Sequence, residues 1–147
     1  MIVFYLMLGA ILAARAAGTL GLQALDDWAV ATRVGLAVMF VFTGIAHFTK
    51  TRDDLMRMVP PTLPRPGVLV TLTGLAELLG AIGLLIPATA RWAACALAVL
   101  LVVMFPANIY AARIGHTIGG RAHTPMVLRL PLQMLWIVLL IWSMPSH

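Results

Sequence analysis

Residues 71–85, TLTGLAELLGAIGLL, put one carboxylate, Glu77, in the middle of an apolar run of membrane length. An ionisable side chain in hydrocarbon costs several kcal/mol, roughly 3 on insertion scales. A helix that carries one must turn it inward, toward a partner or a cavity. That requirement limits the chain to folds in which other helices cover this face. Composition points the same way: 62% of residues are hydrophobic and 10% charged, where soluble domains carry roughly a quarter charged. A water-soluble globule is excluded.

Apolar stretches recur at 1–25, 30–48, 67–86, 89–112 and 126–143, each close to the roughly 20 residues needed to cross a bilayer. The expected fold is an all-α, polytopic membrane helix bundle. It forms a single domain over 1–147, with an N-terminal transmembrane helix added to a four-helix core, five spans in all. The first stretch lacks the Lys or Arg that precedes the apolar core of a secretory signal, so it reads as a retained helix. Gly9, Ala13, Ala17 and Gly21 form a small-residue ridge on it, with Ala10, Ala14 and Gly18 beside them. Such ridges let helices approach closely in lipid. Arg15 lies away from the ridge, and snorkelling toward the far interface is favoured over pairing with an acid.

The longest connection, 50–66 (KTRDDLMRMVPPTLPRP), reads as an interfacial loop with a short helix. Thr51 and Asp54 resemble a capping box, and Pro60, Pro61, Pro64 and Pro66 end the helix and stiffen the return. Pro106 interrupts the fourth span and frees a carbonyl one turn earlier, which neighbouring groups must satisfy. Seven of the ten basic residues, Lys50, Arg52, Arg57, Arg65, Arg113, Arg121 and Arg129, fall in or beside the two longer loops. With five spans both loops share one face, which the positive-inside rule makes cytoplasmic. The N-terminus is then cytoplasmic and the C-terminus outside, with Trp28, Trp92 and Trp142 near the outer interface.

At 100° per residue, Val70, Thr73, Gly74, Gly80, Ala81 and Leu84 share a face with Glu77. Small and hydroxyl residues around a carboxylate mark a packing face, so Glu77 is expected to look inward. His47 ends the second span, with Phe40, Thr43 and Gly44 on its face, and Asn108 follows Pro106 on the fourth. Gln133 and Arg129 flank Pro131 in the same half of the bundle. Glu77 should lie roughly 15 Å from the cytoplasmic end and Asn108 roughly 7 Å, with His47 near the boundary. One cavity open to the cytoplasmic leaflet, with Glu77 at its floor, would gather all three. Each also has a structural reading: Glu77 as a hydrogen-bond anchor between helices, His47 as a satisfied polar cap, and Asn108 as a cross-helix bond.

Other chemistries find little support. The single Cys95 sits in an apolar run and reads as a small packer. His47 is the only histidine in or at the end of a span, which argues against an intrachain bis-histidine haem. His116 and His123 read as solvated loop residues, so no metal site is expected. No Ser-His-Asp, phosphate-loop or dinucleotide signature occurs. The net charge of +5 has no basic, aromatic-interleaved surface behind it, so no nucleic-acid partner is expected.

The blocks FTGIAHF (42–48), MVP (58–60), TGLAELLG (73–80) and FPANIY (105–110) resemble the DoxX-like family of small bacterial integral membrane proteins. The likeness runs in order from about residue 30 to 113 and leaves out the first helix and the basic loop 113–125. It implies a four-helix bundle in the bacterial inner membrane, with an association with quinone or thiosulfate oxidation or with resistance to quinones and oxidative stress. It also implies that His47, Glu77 and Asn108 are the family's polar positions.

Two functional classes follow. In the first, a redox-associated membrane protein takes an apolar, quinone-like ligand in a cavity around Glu77, the candidate catalytic residue. Glu77 is the proton or hydrogen-bond donor, and His47, Asn108, Thr43 and Thr73 complete the ligand-binding set. A quinone is the cofactor class suggested, alongside membrane lipid. In the second, the chain is a non-enzymatic binding or assembly subunit. Glu77, His47 and Asn108 then hold helices together, and the small-residue ridge recruits a membrane oxidoreductase or a second copy.

Overall fold

In the computed structural model the described residues are 1–115, 117–118, 121–122 and 126–145. Six α-helices dominate: α1 (Ile2–Thr19), α2 (Trp28–Ala46), α3 (Arg52–Arg57), α4 (Pro66–Leu85), α5 (Pro87–Arg113) and α6 (Met126–Trp142). A two-residue antiparallel ladder, Thr117–Ile118 with Arg121–Ala122, lies between α5 and α6. By length and composition α1, α2, α4 and α5 can each cross a membrane, and α6 is a shorter apolar helix. The molecule is therefore an all-helical bundle of multi-pass membrane character.

The boundaries have local causes. Asp27 caps α2, its carboxylate accepting from the Ala29 and Val30 amides at 2.7 and 3.0 Å. Pro66 and Pro87 open α4 and α5, where a missing N–H costs nothing. Helix α5 runs through Pro106 without a break. From α6, Gln133 Nε2 donates to the Leu101 carbonyl at 2.8 Å, next to the Val102 carbonyl that Pro106 leaves without its helical donor. Thr51 precedes α3 but does not close a capping box. Its hydroxyl turns back to donate to the Ala46 carbonyl at 2.7 Å and ties α3 to the end of α2.

Helix α2 packs on α4, α4 on α5, α5 on α6 and α6 back on α2, the last seam being the slightest. These four make a ring, and α1 packs against α2. On α4 the buried stripe is Val70, Gly74, Glu77, Ala81 and Leu84, so the carboxylate does face inward. Trp28 and Trp142 end their helices, and Trp92 sits early in α5, all exposed at the end opposite α3.

Helix α1 departs from the sequence reading in two ways. Its buried stripe is Met7, Ile11, Ala14 and Gly18, whereas Gly9 and Ala13 are exposed and nothing lies within 4 Å of a Cβ at Gly9. The neighbouring small-residue stripe does the packing, because there the backbone of the next segment comes within reach. A Cβ on Gly18 would lie 2.6 Å from the Leu25 carbonyl oxygen. Arg15, expected to snorkel, instead meets an acid: Nη1 lies 2.6 Å from Asp26 Oδ1 and the guanidinium covers the Trp28 ring at 4.7 Å. The Gln23–Leu25 turn brings that acid back beside α1.

Gly18→Ala should therefore destabilise the protein by about 1–3 kcal/mol through overpacking against backbone. Gly9→Ala, pointing into open space, should stay within about 0.5 kcal/mol of the parent. Unfolding in mixed micelles compares the two, and equal effects would contradict the packing described.

Candidate ligand-binding cavity

A half-open cavity of about 730 Å³ lies in the half of the bundle that carries α3. That is within the roughly 300–1,000 Å³ of sites for small molecules. Every helix contributes to it. The first turn of α1 supplies Met1, Ile2, Val3 and Phe4, and α2 supplies Met39, Phe40, Phe42, Thr43, Ile45 and Ala46, with His47 at its end. Leu55 comes from α3, Glu77 from α4, and Leu101, Met104 and Asn108 from α5. Helix α6 adds Arg129, Leu132, Gln133 and Trp136. The wall is mostly apolar, with the polar groups concentrated on a few side chains.

Glu77 and His47 are each 4% exposed. Their closeness follows from glycine. A Cβ on Gly74 would fall 2.6 Å from His47 Cβ, and one on Gly44 would fall 2.9 Å from Leu78 Cγ. Each glycine makes room for a side chain from the opposite segment, Gly44 for Leu78 and Gly74 for His47, which rests one turn before Glu77. The depths expected from sequence need correcting here. Helix α4 runs past the end of α2 toward the α3 loop, so His47 is not at a remote boundary. It lies about 4.5 Å along the axis from Glu77, three residues at 1.5 Å each.

Arg52 fixes that end of the bundle. Its Nη1 donates to the His47 carbonyl at 3.2 Å, and Nη2 donates to the Gly67 carbonyl and Thr71 Oγ1 at 3.0 and 2.9 Å. The Thr43 hydroxyl lines the same cavity as the Glu77 carboxyl. It also donates to the Met39 and Phe40 carbonyls at 3.2 and 3.3 Å.

Two of the polar groups remain incomplete. Glu77 Oε2 and His47 Nδ1 are both buried with no hydrogen-bond partner among the described residues. A buried polar atom left unpaired costs about 1–3 kcal/mol, so the pair costs several kcal/mol against a total stability of typically 5–15. Both residues line one cavity, which makes it the candidate site for a polar partner.

The remaining sequence candidates divide. Asn108 lines the cavity and is already engaged, its Oδ1 accepting from Arg129 Nη2 at 2.7 Å. Thr73 is not on the cavity wall, and its hydroxyl bonds back to the Leu69 and Val70 carbonyls at 2.9 and 3.1 Å. The sequence reading did not count Arg129, Gln133 or Trp136 as site residues. Arg129 and Gln133 were placed in the correct half of the bundle, and their polarity inside an apolar helix was the available signal. His116 and His123 lie outside the described residues. Among the described residues, no group of three or more His, Cys, Asp or Glu is arranged to hold a metal ion.

The model of a family described as a domain of unknown function, DUF8561, matches residues 36–145. The chain belongs to that family. The DUF8561 match takes in most of α2 and all of α3 to α6, the ring and its cavity, and leaves α1 outside. No curated protein and no solved structure matches the chain.

Gly74→Ala should push His47 away from α4 and destabilise the protein by about 1–3 kcal/mol. Gly67→Ala, whose Cβ would meet the flexible side chains of Met56 at 3.4 Å and Arg52 at 3.8 Å, should cost much less. Detergent unfolding of both variants checks the ranking, and a Gly74→Ala protein as stable as its parent would contradict the contact.

Proposed function

We propose that the protein is an integral membrane protein that binds an apolar small molecule in the cavity around Glu77, with Glu77 and His47 meeting its polar end. The observation carrying this reading is the pairing of an apolar cavity of about 730 Å³ with a buried carboxyl and a buried imidazole, those of Glu77 and His47, among the residues that line it. A structural role accounts for Asn108, which has its cross-helix partner in Arg129. It does not account for Glu77 Oε2 or His47 Nδ1, whose bonding capacity no helix fills.

The ligand class is quinone-like, and the protein's association is with membrane redox chemistry. Both follow from the DoxX-like blocks, and the cavity's size, apolar wall and carboxyl–imidazole pair suit such a molecule. Glu77 is the proton or hydrogen-bond donor to it, and Thr43 lines the same cavity. The protein crosses the bacterial inner membrane five times, with α6 as the fifth span. Its α3 end and N-terminus are cytoplasmic and its C-terminus is outside. Lys50, Arg52, Arg57 and Arg65 at the α3 end support this orientation.

Purified gently from membranes, the wild-type protein should retain an apolar molecule detectable by native mass spectrometry. Glu77→Gln should lose most of it while keeping its helical content, and Thr73→Ala should retain it. Absence of any ligand from the wild type, with a membrane oxidoreductase co-purifying stably, would favour an assembly subunit instead.

A further inference from the structure

An arginine near the end of a membrane helix ordinarily snorkels, carrying its guanidinium out to the headgroups. Arg129, in the first turn of α6, turns inward instead. It is half-buried and lines the cavity, and its Nη2 lies 2.7 Å from Oδ1 of Asn108, a buried residue of the same wall. That bond holds the charged end of the side chain at the cavity. A guanidinium is always charged and has five N–H donors in a rigid fork. The Asn108 amide is neutral, so it orients the fork without cancelling the charge. The level of this group follows from the α4–α5 seam, where Leu97 packs on Gly80. From that crossing toward the α3 end, Glu77 is three residues on and Asn108 is eleven residues on. The two polar positions therefore lie roughly 12 Å apart along the axis. Leu101 and Met104, between those levels on α5, give the cavity an apolar wall.

We propose that Arg129 is an anion subsite of this cavity, and that the ligand is an acidic amphiphile whose carboxylate binds there while its chain runs inward to Glu77. This rests on the reading that the cavity holds an apolar molecule with a polar group at Glu77, and it adds a carboxylate at the molecule's other end. The chemistry favours that head. A planar carboxylate accepts two parallel N–H bonds from a guanidinium. One guanidinium balances one unit of charge, which a carboxylate carries and a phosphate monoester exceeds. Beside an apolar wall such a bond is stronger than it is in water. The head then lies near the α3 end, level with the first turn of α6, where an amphiphile's charged group stays closest to the membrane surface.

Three probes of one chain length test this: a fatty acid with a mid-chain oxo group, its methyl ester, and the acid without the oxo group. Each is titrated into the full-length protein in nanodiscs, and bound fractions are read by native mass spectrometry. Wild type should prefer the oxo acid to its ester, and Arg129→Gln should lower that preference by about 10-fold or more, the scale of a hydrogen bond to a charged group. Comparing variants cancels the different partitioning of acid and ester into the bilayer. Ester affinity should stay within about twofold in Arg129→Gln, which a collapsed cavity would not allow. Arg129→Lys keeps the charge without the fork and should fall between the two. A preference that survives Arg129→Gln overturns the proposal, as does one equally low in Arg129→Lys. The oxo acid against the plain acid reads the Glu77 end separately. If Glu77→Gln removes that discrimination while Arg129→Gln leaves the acid preference intact, the cavity reading stands and the anion subsite fails. If Arg129→Gln acts as expected and the oxo group makes no difference, the subsite stands and the polar role of Glu77 fails. If no probe binds wild type, both fail together.

Discussion

The close approach of α2 and α4 is the contact on which the rest of the structure depends. Gly44 and Gly74 leave no room for a Cβ at the crossing, and His47 lies directly on Gly74. Between helices in lipid there is little hydrophobic drive, so backbone proximity at small residues does much of the joining. Here it also decides what becomes of the one glutamate in the chain. Glu77 lies one turn beyond Gly74, so the contact that joins the helices also withdraws the carboxyl from hydrocarbon and sets an imidazole beside it. Arg52 then locks the neighbouring ends through three hydrogen bonds to both helices.

The ring is less tight elsewhere. Its α2–α6 seam is the slightest, and the first turn of α1 contributes four residues to the cavity wall. Helix α1 is held at its other end, by the Gly18–Leu25 approach, by Ile11 against Gly35, and by Arg15 on Asp26 and Trp28. The helix outside the DUF8561 match thus acts as a strut fixed near one membrane surface and completing the cavity near the other. The DUF8561 portion supplies the ring and the polar groups, and α1 supplies part of the apolar wall.

Much of this was legible in the residues. Glu77 among Gly74, Gly80 and Ala81 can only be a packing face, and its burial follows from the cost of exposing a carboxylate to lipid. The helix spans emerged to within a few residues because apolar length is a strong signal. What periodicity cannot do is choose between two adjacent stripes of small residues on α1. That choice was made by partners, Gly35 and the Leu25 backbone, which are remote in register. Nor could spacing show that the turn after α1 returns Asp26 to Arg15. Thr43 and Thr73 look alike on their helices, yet one lines the cavity and the other bonds its own backbone. Trp136 carried no pattern of its own, and only the fold places it on the cavity wall.

Because Glu77 is the only glutamate in the chain, glutamate labelled at its side-chain δ-carboxyl carbon gives a spectrum with a single site. Solid-state NMR of the labelled protein in nanodiscs, first delipidated and then supplied with bacterial membrane lipid extract, reports directly on that carboxyl. The account predicts that the extract shifts the Glu77 resonance and brings non-protein protons into contact with it, and that a hydrocarbon-only lipid mimic does neither. A resonance unchanged by the extract, with no such contacts, would contradict the claim that this cavity holds a ligand against Glu77.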